Sequence, residues 1–293
     1  MLLAVAVPYL WLAAFFLVPF LIVLKISVSQ TALAQPPYIP VLDLAAGWQG
    51  IRDFAAALSL DAYALLFSDQ LYLLSYLKSL AIGIGATALL LLLGFPLAYA
   101  LARAPGRAQG ILLVLIVLPF WTSFLIRIYA WMNILQRDGL LNGLLQTLGI
   151  VDAPVAWLAT DTAIMIGMVY SYLPFMVLPL YASLQKMDTA LLEAAADLGA
   201  PAWKAFWLVT VPLAWPGIVA GCLLCFIPIV GEFVIPDLLG GSESPMIGQT
   251  LWLEFFSNKD WPVASSLAIV LLVLLLVPIV FYQRQQMQAL EGR

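Results

Sequence analysis

The stretch GEFVIPDLLGG, residues 231–241, supplies two carboxylates, Glu232 and Asp237, directly after a run from Ala205 to Gly231 that carries no charge. Acids at the end of an apolar segment of membrane length are costly unless they meet a partner, water or a passing cation. Pro228, Gly231 and Pro236 surround them. Proline removes a helical hydrogen bond, and a broken helix at membrane depth is tolerated where it is packed in protein or lines a water-filled cavity. The spacing therefore predicts an interrupted helix whose carboxylates face a hydrated pathway. Acids in series could replace the hydration of a flexible cation in stages and still release it.

A second constellation lies in LPFWTSFLIRIYAWMNIL, residues 118–135, with Trp121, Arg127, Tyr129 and Trp131. Aromatic side chains near a span end form an interfacial belt or, facing a pathway, a cation-π lining for an ammonium group. An arginine in such a segment must snorkel, pair with an acid or face water. Glu232 is its obvious candidate partner, so two roles stay open for Glu232, neutralising Arg127 or meeting the cargo. Glu254 and Asp260, before the last apolar segment, are expected to meet a partner on the outer face.

The elements that must position these residues are membrane helices. The chain of 293 residues is 64% hydrophobic and 10% charged, far below the charge of a soluble domain. About 20 apolar residues cross a bilayer core. Six such windows are legible, at about 2–24, 79–102, 110–135, 162–184, 213–235 and 263–282. The expectation is one all-α membrane domain over residues 1–293 with six transmembrane helices. The ALAQ at residues 32–35 has the small-x-small look of a signal-peptide cleavage site, but no basic residue precedes the first apolar run.

Arg103 and Arg107 stand without an acid in RAPGRAQ between the second and third windows, which places that loop in the cytoplasm. Six spans then put both termini and residues 185–212 on the same side. The opposite face is richer in acids, which suits a cationic solute.

Several chemistries are excluded. There is no histidine, which removes Ser-His-Asp hydrolysis, Cys-His proteolysis and His-containing zinc sites. No G-x-x-x-x-G-K-[ST] phosphate loop occurs, so the chain is expected to bind no ATP and to be no enzyme itself. Cys222 and Cys225 form a C-x-x-C inside an apolar helix rather than beside a soluble βαβ unit, and read as helix packing. Gly217 and Gly221 give a G-x-x-x-G helix-contact pattern on the same segment.

Residues 185–212, QKMDTALLEAAADLGAPAWKAFWLVTVP, hold the most specific motif. Asp188 is suited to cap a helix over TALLEAAADL, Gly199 to end it and Pro201 to stop it. AWKAFWLVTV can form a second helix before Pro212. Glu193, Ala194, Ala195, Gly199, Val209, Val211 and Pro212 match E-A-A-x(3)-G-x(9)-I-x-L-P, with Val in place of Ile and Leu. This resembles the permease subunits of bacterial ABC importers. The resemblance implies the type I importer permease fold and makes residues 185–212 the loop that docks on an ATPase.

Nearly the whole chain, including YLPFMVLPLYASL, MIGQTLWLEFF and DWPVASSLAIV, further resembles the polyamine permeases of the PotB and PotH type, the putrescine-system PotH member most. That likeness implies an inner-membrane importer with a second, different permease, two ATPase subunits that use ATP and Mg, and a periplasmic polyamine-binding protein. It implies no cofactor on this chain and no nucleic-acid partner. A permease for another small organic cation, or an ion-coupled carrier needing no ATPase, are the alternatives.

Overall fold

The computed structural model describes residues 2–41, 47–241 and 245–291. Among them, five helices are long and apolar enough to cross a membrane: Ala6–Ser27, Gln70–Arg103, Asp161–Leu184, Ala202–Val230 and Trp261–Val280. A bent pair, Gly106–Trp121 with Phe124–Thr147, makes a sixth if counted as one span. These are called the first, second, fourth, fifth, sixth and third spans in chain order.

The third span departs from a straight helix. Its first limb tightens into a 3-10 turn over Leu118–Trp121, Thr122 is extended, and the second limb restarts at Phe124 after a bend of 90°. Pro119 is the cause, since its ring and missing N–H cannot continue the α-helical ladder. Two other prolines are absorbed differently. A π-helical turn over Ala13–Leu17 leads into Val18 and Pro19, and another over Phe206–Thr210 leads into Val211 and Pro212. Widening the turn before a proline relieves its clash with the carbonyl one turn back. The separate helix expected before Pro212 is therefore continuous with the fifth span.

The chain forms two compact units, Lys78–Met246 and the combination of Met1–Leu77 with Ile247–Arg293. In the first, the fourth and fifth spans pack closely along their length. The core contains Leu90, Met168, Met176, Leu180, Cys225 and Ile229, all buried. A Cβ at Gly217 would come 2.6 Å from Ser183 Cβ and 2.7 Å from the Pro179 carbonyl, and one at Gly221 would come 2.8 Å from Met176 Sδ. The G-x-x-x-G pattern is thus the contact line between these helices. Cys225 is buried on it, its thiol 3.6 Å from the Tyr172 carbonyl oxygen, and both cysteines are free.

In the same unit, Asn142 is buried near the end of the third span's second limb. Its Nδ2 donates to the carbonyls of Gln136, Arg137 and Val155, and its Oδ1 accepts from Val155 N and Trp157 Nε1. Lys78 and Asp161 form an ion pair at 2.7 Å between the second and fourth spans.

In the other unit, Ala62, Leu66, Tyr72, Tyr76, Ile247 and Leu267 are buried together. Tyr72 Oη donates to Glu254 Oε1 at 3.0 Å, Asn258 Nδ2 to Glu254 Oε2 at 2.9 Å, and Tyr76 Oη to the Leu267 carbonyl. The first span is largely exposed, with Leu10, Trp11, Phe15, Phe16 and Ile22 uncovered, as for a helix that faces lipid or another subunit.

Candidate functional site

The fifth span ends at Val230, and Gly231 turns the chain into the short helix Val234–Leu239. The predicted interruption is present and places Glu232 at the break. Ile235 and Leu239 of the short helix press on Gly167 of the fourth span, where a Cβ would lie 2.9 and 2.7 Å from their side chains.

Glu232 is held by three donors. Its Oε1 accepts from the backbone N–H of Phe233 and Val234 at 3.2 and 3.1 Å, at the start of the short helix. Its Oε2 accepts from the Tyr172 hydroxyl of the fourth span at 2.5 Å. The expected Arg127–Glu232 pairing is not formed. Among the described residues Glu232 has no basic partner, and Arg127 lies instead on aromatic rings, its guanidinium carbon 4.7 Å from the Phe120 centroid and 5.7 Å from that of Phe124. The 90° bend explains this, because it carries Arg127 onto a limb whose neighbours are the rings of the 3-10 turn.

Phe120, Phe124, Arg127, Ser171, Tyr172 and Phe175, with Leu224 and Pro228, line a cavity of about 430 Å³. The third, fourth and fifth spans all contribute. Phe175 stands edge-on to Phe120 at 5.2 Å and lies 6.0 Å from Tyr172. Arg127 Nε and Ser171 Oγ are buried without hydrogen-bond partners. Buried polar groups are nearly always satisfied, so such a pair in one cavity marks a place for water or a ligand.

The remaining expected pathway residues are elsewhere. Trp121 and Tyr129 are exposed, and Trp131 is partly buried with its ring 5.4 Å from that of Tyr170. Asp237 is on the exposed side of the short helix, opposite Ile235 and Leu239. Sequence reasoning missed the rings that do line the cavity. Tyr172 and Phe175 stand at i, i+3 on one helix face, a usable signal, whereas Phe120 reaches the cavity only through the 3-10 turn.

Glu254 and Asp260 are engaged within their own unit. Glu254 is buried on Tyr72 and Asn258 and is turned inward rather than offered to a docking protein. Asp260 Oδ1 accepts from Thr31 Oγ1 at 2.7 Å and from Val263 N at 3.1 Å, capping the sixth span.

The first half of the loop over residues 185–212 forms the expected helix with a shifted cap. The helix Ala190–Asp197 starts where Asp188 Oδ1 accepts from Ala190 N at 3.0 Å, with Thr189 rather than Asp188 at the cap position. Gly199 has φ +77, the left-handed conformation that glycine alone adopts freely. Glu193, Ala194 and Pro212 are exposed and Ala195 is half-buried. Around them Leu198, Trp203, Trp207 and Leu208 are exposed, Leu198 to 89%.

The sequence pattern of the family described as "Binding-protein-dependent transport system inner membrane component" matches residues 91–286. The chain belongs to that family. This permease is 39% identical over 280 residues to a protein named spermidine/putrescine transport system permease protein PotB of Haemophilus influenzae, covering 96% of this chain and 92% of that one. It is 42% identical to the PotB of Escherichia coli K12, over 77% of this chain and 82% of the other. A bacterial ABC transporter that imports the acidic polysaccharide alginate shares the fold, with a TM-score of 0.70 at 17% identity over 98% of this permease and 95% of that chain. The permease is thus a multi-pass inner-membrane transport subunit of the type I fold, not an enzyme.

Proposed function

We propose that this permease is one of two different membrane subunits of an ATP-driven polyamine importer, with putrescine as its cargo. The observation that carries the reading is Glu232: a carboxylate at a broken span, oriented by Tyr172 and two backbone N–H groups, without a basic partner among the described residues, beside an aromatic cavity. A diamine carries an ammonium at each end, and a site that offers one fixed carboxylate and ring faces suits one end at a time. The PotB relatives named for spermidine and putrescine support the same cargo class.

Coupling is assigned to residues 185–212. Glu193, Ala194 and Ala195 lie on the helix Ala190–Asp197, which Gly199 follows, and the exposed Leu198 and Trp203 beside them give an apolar rim of the kind that marks protein contacts. The ATPase subunits, which use ATP and Mg, dock there. A periplasmic polyamine-binding protein delivers the cargo from the other side, and both termini lie in the cytoplasm. This chain itself holds no cofactor in the reading.

The test is uptake of labelled putrescine by cells that lack their own polyamine importers and express this permease with its neighbouring transport genes. Uptake that needs the ATPase and is blocked by excess cold putrescine, with spermidine as the second competitor, supports the reading. No uptake where the assembled complex is present would overturn the polyamine cargo and leave the family assignment intact.

A further inference from the structure

The second limb of the third span puts a permanent cation into a cavity that otherwise has the composition of a cation receptor. The faces of Phe120 and Phe124 are occupied by the Arg127 guanidinium, at 4.7 and 5.7 Å. Arg127 Nε is buried without an acceptor, so ring faces rather than a hydrogen-bonded acid hold the group in place. Ser171 Oγ, on a residue only 4% exposed, also has no partner, although a hydroxyl can accept from a cationic donor. The Tyr172 oxygen donates to Glu232 and keeps a lone pair for a second donor. Take the guanidinium away, and what remains is three phenyl rings, two hydroxyl acceptors and a carboxylate behind one of them.

We propose that Arg127 is a tethered stand-in for the cargo's ammonium group: it occupies the ring faces of the receptor when no cargo is present and swings out when an alkylammonium end enters. This rests on the polyamine reading above. Arg127 is half-buried rather than enclosed, so its long side chain can leave the rings by rotation about its own bonds with the helices unmoved. An occupied receptor binds cargo less tightly by the fraction of time it is filled. The stand-in also closes the cavity to inorganic cations between cargoes, because a like charge already sits on the rings. The arginine thus serves a cation pathway as a displaceable competitor.

The test uses the assembled complex in proteoliposomes, with the amount of complex measured for each variant. Two quantities are read: ATP-driven putrescine uptake, and passive putrescine flux down a gradient without ATP. Arg127→Met keeps length and removes the charge. It is expected to raise passive flux about fivefold, the factor that one cation-π contact is worth at a partly buried site, while Arg127→Lys stays near wild type. Ser171→Ala removes an acceptor that serves the cargo but not Arg127, and combined with Arg127→Met it is expected to reverse most of the gain. Passive flux in Arg127→Met equal to wild type overturns the inference, as does loss of driven uptake in Arg127→Met with full recovery in Arg127→Lys and no change in passive flux. If Arg127→Met fails to assemble, Arg127→Gln is read in its place under the same criteria. A wild-type complex that imports no polyamine overturns both readings, whereas one that imports putrescine beside an inert Arg127→Met overturns this one alone.

Discussion

Tyr172 and Glu232, sixty residues apart, are joined by a hydrogen bond from the tyrosine hydroxyl to Oε2, so that the fourth span orients the acid at the break of the fifth. A hydrogen bond to a charged group is worth about 1.5–3 kcal/mol, and two backbone donors remain if this one is lost. Tyr172→Phe should therefore leave assembly intact and lower ATP-driven uptake by roughly tenfold, because the carboxylate is held but no longer aimed. Glu232→Gln removes the charge itself and should lower uptake further at equal complex levels. Quantitative blotting of the complex beside labelled uptake decides the matter; parallel loss of assembly would make the pair structural.

The helix contact through Gly217 makes a different kind of prediction. Added side-chain atoms there meet the Pro179 carbonyl and Ser183 Cβ, which are backbone and near-backbone atoms that cannot move aside. Overpacking costs about 1–3 kcal/mol. Gly217→Val should lower the thermal stability of the purified permease by several degrees, and Gly217→Ala by less. Gly221, which faces the flexible Met176 thioether at 2.8 Å, should tolerate Ala better than Gly217 does. Melting curves in detergent for the three variants test this order.

Much of this architecture was legible because membrane helices announce themselves. Long apolar windows gave the spans, Gly199 and the E-A-A spacing gave the loop helix, and Gly231 between two prolines gave the broken fifth span. The bend of the third span was not legible, since Pro119 is one of many prolines in this chain and others, such as Pro19 and Pro212, are absorbed by π turns within a continuous helix. That single ambiguity displaced most of the site. With a straight third span, Arg127 would be expected to seek an acid; with a bend, it meets Phe120 and Phe124. The burial of Glu254 is not legible for another reason: an acid outside the spans reads as exposed, and only the fold brings Tyr72 to it.

Asn142 is a structural residue that no motif signals. Its amide makes five hydrogen bonds, two to Gln136 and Arg137 of its own span and three to Val155 and Trp157 before the fourth span, all at or below 3.3 Å. Asn142→Leu would strand several buried carbonyl and N–H groups, each costing about 1–3 kcal/mol. Loss of folded permease is expected, seen as a lower yield of monodisperse protein in detergent, while Asn142→Asp, which keeps the acceptor for Val155 N and Trp157 Nε1, should retain part of it.

The loop over residues 185–212 allows the proposed coupling role to be tested apart from folding. Gly199 adopts φ +77 with open space around its Cα, so a side chain there meets no neighbour and the penalty is conformational alone. A β-branched residue in that conformation costs about 1–2 kcal/mol, too little to unfold a permease but enough to change how the chain leaves the helix Ala190–Asp197. Gly199→Val should therefore assemble in the membrane and bind cargo-loaded binding protein, yet fail to stimulate ATP hydrolysis. Gly199→Asn, which tolerates left-handed backbone, should keep most of the stimulation. ATPase activity of the reconstituted complex, with and without loaded binding protein, reads both variants, and normal stimulation in Gly199→Val would remove the loop from the coupling path.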